Sequence, residues 1–235
     1  MISVLCCIQA RAGSNRLPGK VLKEICGKSI IRHIIERIKY CKNIDKIVLA
    51  TSKNKENDAL EAVARDQNIS FFRGSEDDVL SRFIAVIDKF NPRHIVRICA
   101  DSPLIDPQEI DKIVSHHINT GADYSFNHIP RMNNNYPDGI GAEIFKSNIL
   151  SELNHKSLSS EEKEHINLFI WNNLEQYKVE TLKAPEEIAY SELKFEVNTE
   201  KDFLFINKIF ENIYKGDVFY TKDIIHYLKR VHKIK

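Results

Sequence analysis

The sequence predicts an α/β fold, a doubly wound and mostly parallel Rossmann-like sheet, on three observations. Short β-branched runs alternate with segments of helical periodicity through the first half of the chain. One of those runs, His94 to Cys99, is apolar almost throughout, as a parallel strand buried on both faces must be. The stretches that carry chemistry, Arg11 to Lys20, Thr51-Ser52, Arg73-Gly74 and Asp101, each follow a predicted strand. A doubly wound sheet gathers such stretches at its carboxyl edge, where ligands bind.

Each element has its own signal. Ile2 to Ile8 forms the first strand: it is apolar, and the run from Met1 is short, lacks a basic leader and enters a polar loop, so it reads as a strand and not a signal peptide. Ser29 caps a helix in which Ile30, Ile31, Ile34, Ile35 and Ile38 recur at helical spacing, to about Cys41. Lys46 to Thr51 is the second strand. Ala59, Leu60, Val63 and Ala64 mark a helix between Asn54 and Gln67, and Ile69 to Arg73 is the third strand. Glu76, Asp77 and Asp78 place acids in the first turn of a helix carrying Val79, Leu80, Phe83, Ile84, Val86 and Ile87. After the fourth strand, His94 to Cys99, Asp106 caps a helix with Ile110, Ile113, Val114 and Ile118 inward.

The second half alternates less cleanly. Strands are expected at Asp123 to His128 and Ile140 to Phe145, with a polar Ile129 to Asp138 between them. Ser159 or Ser160 caps a helix through Glu175, Lys178 to Lys183 is extended, and two helices, Thr199 to Tyr214 and Thr221 to Lys233, follow. Residues 1–235 thus read as one domain, with about 128–190 as an insert or lobe over the sheet.

Composition limits the function classes. A chain of 235 residues, 43% hydrophobic, can bury one sizeable core. Its formal net charge of +1, from 34 basic and 33 acidic residues, provides no global field for nucleic acid or an anionic membrane, so any anion recognition is local. No run reaches membrane-spanning length. The five cysteines, Cys6, Cys7, Cys26, Cys41 and Cys99, show no metal or redox spacing and read as reduced thiols of a cytoplasmic protein.

The loop Gln9-Ala10-Arg11-Ala12-Gly13-Ser14-Asn15-Arg16-Leu17-Pro18-Gly19-Lys20 combines three cations, two glycines and a hydroxyl directly after the first strand. These are the parts of a phosphate cradle: cations for charge, glycines for close backbone approach. Against this stands a basic surface loop whose glycines merely turn the chain. A Walker loop is disfavoured, since Gly13 and Gly19 are separated by five residues and Val21 follows Lys20. The dinucleotide fingerprint fails as well, because Gly139-Ile140-Gly141 lacks its third glycine.

Ala-Arg-x-Gly-Ser-x-Arg-Leu-Pro-Gly-Lys after a first strand resembles the opening of the sugar-acid cytidylyltransferases, the group of CMP-KDO synthetases and acylneuraminate cytidylyltransferases, and is most similar to the spore-coat polysaccharide protein F branch. The resemblance implies that Ala10, Arg11, Gly13, Ser14, Arg16 and Lys20 bind the triphosphate of CTP. It places Thr51, Ser52, Arg73 and Gly74 at the base and ribose. The competing readings there are helix capping by Ser52 and a surface ion pair from Arg73.

Arg97 to Pro107 is similar to the family's metal-site stretch, so Asp101 is the expected Mg2+ ligand, against the alternative of a turn residue before Pro103. A related glycosyltransferase would carry Asp-x-Asp here, and this chain has Pro103 in the last position. Tyr136 to Phe145 and Glu164 to Ile170 resemble acceptor-side stretches, which makes Asp138, Glu143 and His165 acceptor-binding candidates. Glu164 and His165 are not expected to share one helix face. One departure matters: Asn198 stands where family members have the aspartate that is the second metal ligand, with Glu196 or Asp202 as possible compensation.

The expected activity is a Mg2+-dependent cytidylyltransfer from CTP to a sugar acid of 2-keto-3-deoxy type, for surface polysaccharide or glycan synthesis. Arg11, Arg16, Lys20 and Asp101 would be catalytic, with no nucleic acid or membrane partner and, from the resemblance, a homodimer. The alternatives are a nucleotidyltransferase for a phosphorylated or non-sugar acceptor, and a non-catalytic nucleotide-binding protein.

Overall fold

The first strand, β1 (Val4–Gln9), is buried because it has a parallel neighbour on each side and a hydrophobic layer on each face. The computed structural model describes residues 2–14 and 16–234, so Met1, Asn15 and Lys235 lie outside the described residues. After the loop, β2 (Glu24–Ile25) and β3 (Lys28–Ser29) form a hairpin whose two turn residues, Cys26 and Gly27, both have positive φ (48° and 75°). This hairpin was not expected from the sequence, where Cys26-Gly27 is a weak turn signal. Helix α1 (Ile30–Ile38) follows, with Ser29 Oγ accepting from Arg32 N–H.

The parallel part of the sheet then builds outward: β4 (Lys46–Ser52), α2 (Asp58–Asp66), β5 (Ser70–Gly74), α3 (Val79–Phe90) and β6 (His94–Cys99). The acids before α3 lie ahead of the helix, not in its first turn, and Asp78 is its N-cap, accepting from Ser81 N–H. Asp106 caps α4 (Pro107–Thr120) as expected, and its second oxygen also accepts from Thr221 N–H and Oγ1, pinning the start of the last helix beside the Asp101 to Pro107 turn.

Next come β7 (Tyr124–Phe126), β8 (Glu143–Lys146), α5 (Ser147–Leu153), α6 (Ser160–Glu164), α7 (Leu168–Asn172), β9 (Val179–Thr181), α8 (Glu200–Ile213) and α9 (Thr221–Arg230). The seven-stranded sheet has the order β5-β4-β1-β6-β8-β7-β9, and β8 alone runs antiparallel to its neighbours. Within residues 128–190, β8 and β9 are strands of the main sheet. The helix expected from Ser159 through Glu175 is broken: α6 has a Ser159/Glu162 capping box but ends at Glu164, and α7 begins only at Leu168.

Alternate residues of β1 feed the two layers. Cys6 and Ile8 pack with α1, α4, α8 and α9; Leu5 and Cys7 pack with α3, α5 and α7. Among the described residues no helix is long and apolar enough to cross a membrane.

Candidate active site

The loop after β1 is held in shape by buried polar side chains. Ala12 N–H donates to Asn57 Oδ1 (2.8 Å), and Asn57 Nδ2 donates to Ser52 Oγ (2.8 Å) at the end of β4. Ser52 and Asn57 are fully buried, so the loop is moored to the neighbouring strand by satisfied bonds. Gly19 adopts φ 66°, a left-handed conformation that suits glycine, and its N–H closes back on Ala12 O (3.1 Å). Ser14 Oγ accepts from Leu17 N–H. Arg11, Arg16 and Lys20 are left on one rim of a cleft of about 570 Å³.

At one end of that cleft the loop meets acids. Lys20 Nζ lies 2.9 Å from Asp101 Oδ2 and also donates to Val197 O (3.0 Å). Arg16 Nη2 donates to Asn198 Oδ1 (2.8 Å), and Asn198 Nδ2 donates to Glu196 Oε2 (3.2 Å). The extended segment 195–198 is set by Val197 N–H donating to Asp101 O (2.7 Å) and Phe195 N–H donating to Asp138 O (2.9 Å). Phe195 and Val197 are buried in the core, so the alternating residues Glu196 and Asn198 face the acids and the loop. Burial, then repulsion from Asp101 and Asp138, pushes the Glu196 carboxyl up to about 7. Burial also raises Asp138.

Asp101 Oδ1 and Asp138 Oδ1 are buried without a hydrogen-bond partner. Orphaned, mutually repelling carboxylate oxygens fit a hard divalent cation. Among the described residues no three His, Cys, Asp or Glu side chains already enclose a metal point. Of these two aspartates, Asp101 lies against the loop, through Lys20. Asp202, the other acid near Asn198, is engaged in the cap of α8, where its Oδ2 accepts from Thr199 N–H and Oγ1.

The floor of the cleft is a buried ion pair. Arg97 on β6 and Glu143 on β8 are cross-strand partners, 2.6 Å apart, with Tyr124 Oη and Asn167 Nδ2 also donating to Glu143 and Arg97 Nε donating to Gln9. Burial opposes the charge on Glu143, but Arg97 and these donors hold its carboxyl below its ordinary range. Glu143 thus lines the cleft with its oxygens already engaged, as a counter-ion first. His165 and Glu164 both line the cleft, contrary to expectation: α6 stops at Glu164, and His165 turns away at φ −102°, ψ 81°, so the rule for one helix face does not apply. Glu164 lies 3.9 Å from Arg11.

Five expected nucleotide residues, Gly13, Thr51, Ser52, Arg73 and Gly74, stand back from the cleft wall. Thr51 and Ser52 are fully buried, and Ser52 supports the loop through Asn57. Arg73 pairs with Asp58 (2.7 Å) and Glu61 (3.1 Å), the ion-pair alternative, because α2 carries both acids past the end of β5. Gly74 makes room: a Cβ there would lie 2.8 Å from Arg82 Cγ. Sequence reasoning gave no role to Asn57, Gln9, His128 or Asn167. A signal for Arg97 was present, since a lone arginine inside a buried strand requires an acid on the neighbouring strand.

The sequence matches the family model described as Cytidylyltransferase over residues 5–227. It is 34% identical over 216 residues to the spore coat polysaccharide biosynthesis protein SpsF of Bacillus subtilis, covering 90% of this chain and 88% of that one. The fold superposes on a cytidylyltransferase from Leptospira borgpetersenii serovar Hardjo-bovis with a TM-score of 0.91 at 27% identity, covering 99% and 96% of the two chains. CMP:2-keto-3-deoxy-manno-octonic acid synthetase, solved with CTP, shares the fold at a TM-score of 0.66 and 16% identity, covering 89% and 99%. A family match running from β1 into α9, on a sheet whose carboxyl edge carries a moored basic loop facing buried acids, shows that the chain belongs to the cytidylyltransferase family and is a nucleotidyltransferase.

Proposed function

We propose that the chain transfers CMP from CTP to a sugar acid of 2-keto-3-deoxy type, with Mg2+, for the synthesis of a surface polysaccharide or glycan. The anomeric hydroxyl oxygen of the acceptor bonds to the α-phosphorus, the bond from that phosphorus to the bridging oxygen breaks, and pyrophosphate leaves with the electron pair. The hydroxyl proton passes to solvent. The observation that carries this reading is the Lys20 to Asp101 contact at 2.9 Å, which joins the triphosphate loop to the carboxylate suited to a cation.

Arg11, Arg16 and Lys20 oppose the charge that builds on the departing pyrophosphate. Ala10, Gly13 and Ser14 provide backbone approach to the phosphates, while Thr51, Ser52, Arg73 and Gly74 support the base and ribose side from behind the wall. A Mg2+ ion bound at Asp101, with Asn198 as a neutral second ligand and Glu196 beside it, would supply charge neutralisation at the phosphate oxygens. Asp138, His165 and the Glu143 network set the acceptor side. A cytoplasmic homodimer completes the proposal.

Pyrophosphate release from CTP with 3-deoxy-manno-octulosonate as the test acceptor, against UTP and against no acceptor, examines it. Acceptor-dependent release with CTP alone supports the reading. Release without acceptor, or equally from UTP, contradicts it.

A further inference from the structure

Arg82, near the start of α3, is 3% exposed and lines the cleft, yet no carboxylate among the described residues lies within 4.0 Å of it. Its Nη1 donates to Ser75 O (3.1 Å), while its buried Nε has no partner. Burial lowers the guanidinium's affinity for its proton, and the neighbouring cations Arg11 and Arg97 act in the same direction. Glu76 tempers this field from beyond ion-pair distance, and its carboxylate accepts from Asn54. Arg97 is neutralised by Glu143, Lys20 by Asp101, half-exposed Arg11 faces Glu164 and Arg16 is exposed to solvent, so among the described residues Arg82 is the buried cleft cation left uncompensated. A buried charge in this condition is costly unless something pairs with it.

The side chain is also held in place. Gly74 lets its stem pack against the end of β5, and the Ser75 carbonyl fixes one nitrogen. The edge that stays free, Nε with Nη2, is the planar two-donor fork that matches a carboxylate. In the proposed reaction the phosphates have their own cations in Arg16 and Lys20 of the loop, which line the same cleft.

We infer that Arg82 is the specificity-determining residue that binds the acceptor's carboxylate through its Nε and Nη2 edge. The inference rests on the proposed reaction only in taking the acceptor to be an acid.

Thermal-shift titrations at constant ionic strength test it, using pyruvate as the probe of a 2-keto carboxylate, pyruvamide as its neutral counterpart, inorganic phosphate, and CTP with Mg2+. Pyruvate is expected to stabilise the wild type and pyruvamide not to. Arg82→Lys keeps a charge but loses the fork, and its pyruvate affinity is expected to fall roughly tenfold or more. Arg82→Met, which removes an uncompensated buried cation, is expected to melt no lower than the wild type without ligand and to lose the pyruvate response. Phosphate and CTP shifts are expected to persist in both variants.

A wild type blind to pyruvate, variants that respond like the wild type, or an Arg82→Met protein that melts far lower would overturn the inference. A phosphate shift lost with Arg82 while the pyruvate shift remains would make this a phosphoryl site and overturn it too. Absence of a CTP shift in the wild type would instead count against the proposed reaction, so the two failures are distinguishable.

Discussion

Lys20 and Asp101, 81 residues apart in sequence, meet at 2.9 Å where the loop after β1 faces the turn after β6. Two adjacent parallel strands bring them there, and Val197 O accepts a further bond from the same ammonium. Without substrate, Lys20 neutralises Asp101; a cation and triphosphate would compete for both partners.

Lys20→Ala and Arg16→Ala are therefore expected to lower kcat by about two orders of magnitude, as loss of a charge-stabilising donor does. The melting temperature of Arg16→Ala should change little, because Arg16 is exposed, whereas Lys20→Ala, which leaves the mostly buried Asp101 without its cation, should melt lower. Steady-state pyrophosphate release together with thermal melts checks this. Wild-type turnover in Arg16→Ala would refute its assignment.

Asn57→Ala tests the mooring of the loop. The substitution orphans Ala12 N–H and Ser52 Oγ loses a donor, both in buried surroundings. A loss of about 1–3 kcal/mol in stability is expected, with a higher KM for CTP. Denaturant melts and CTP titration would detect both effects.

Asn198→Asp replaces the donor to Glu196 by a second carboxylate oxygen. Like-charge repulsion should lower the melting temperature in EDTA, while Mg2+ binds roughly tenfold tighter through the added charge. Melts across a Mg2+ titration report both signs. A variant unchanged in metal response would remove residue 198 from the proposed ligand set.

Glu196 gives a pH signature. Its carboxyl, ordinarily near 4.5, sits at about 7 in the folded protein, so the folded state binds the proton more tightly than the unfolded chain does. Stability in EDTA is then expected to fall as pH rises from about 4.5 to about 7 and to level off above, and Glu196→Gln should flatten that slope. Melting temperature against pH, with and without Mg2+, is the measurement; bound Mg2+ should also reduce the slope.

Much of this arrangement was readable in the sequence, for identifiable reasons. The parallel strands announce themselves because burial on both faces demands nearly continuous apolar runs such as His94 to Cys99, and Ser29, Asp106 and Thr199 mark helix starts by their chemistry. The loop cations and Asp101 were legible because they directly follow strands. Long-range pairing was not: that Asn57 would hold Ala12, or that Arg73 would turn to Asp58 and Glu61, depends on how a helix packs against the sheet. The break after Glu164 was equally hidden, since 160–175 contains neither glycine nor proline.

The most direct test of the central claim is stabilisation of the protein by CTP, UTP, ATP and GTP, each with Mg2+. The account predicts a shift with CTP well above the other three, equivalent to about 2.7 kcal/mol at a hundred times the dissociation constant. Equal shifts with all four nucleotides, or none with any, would contradict it.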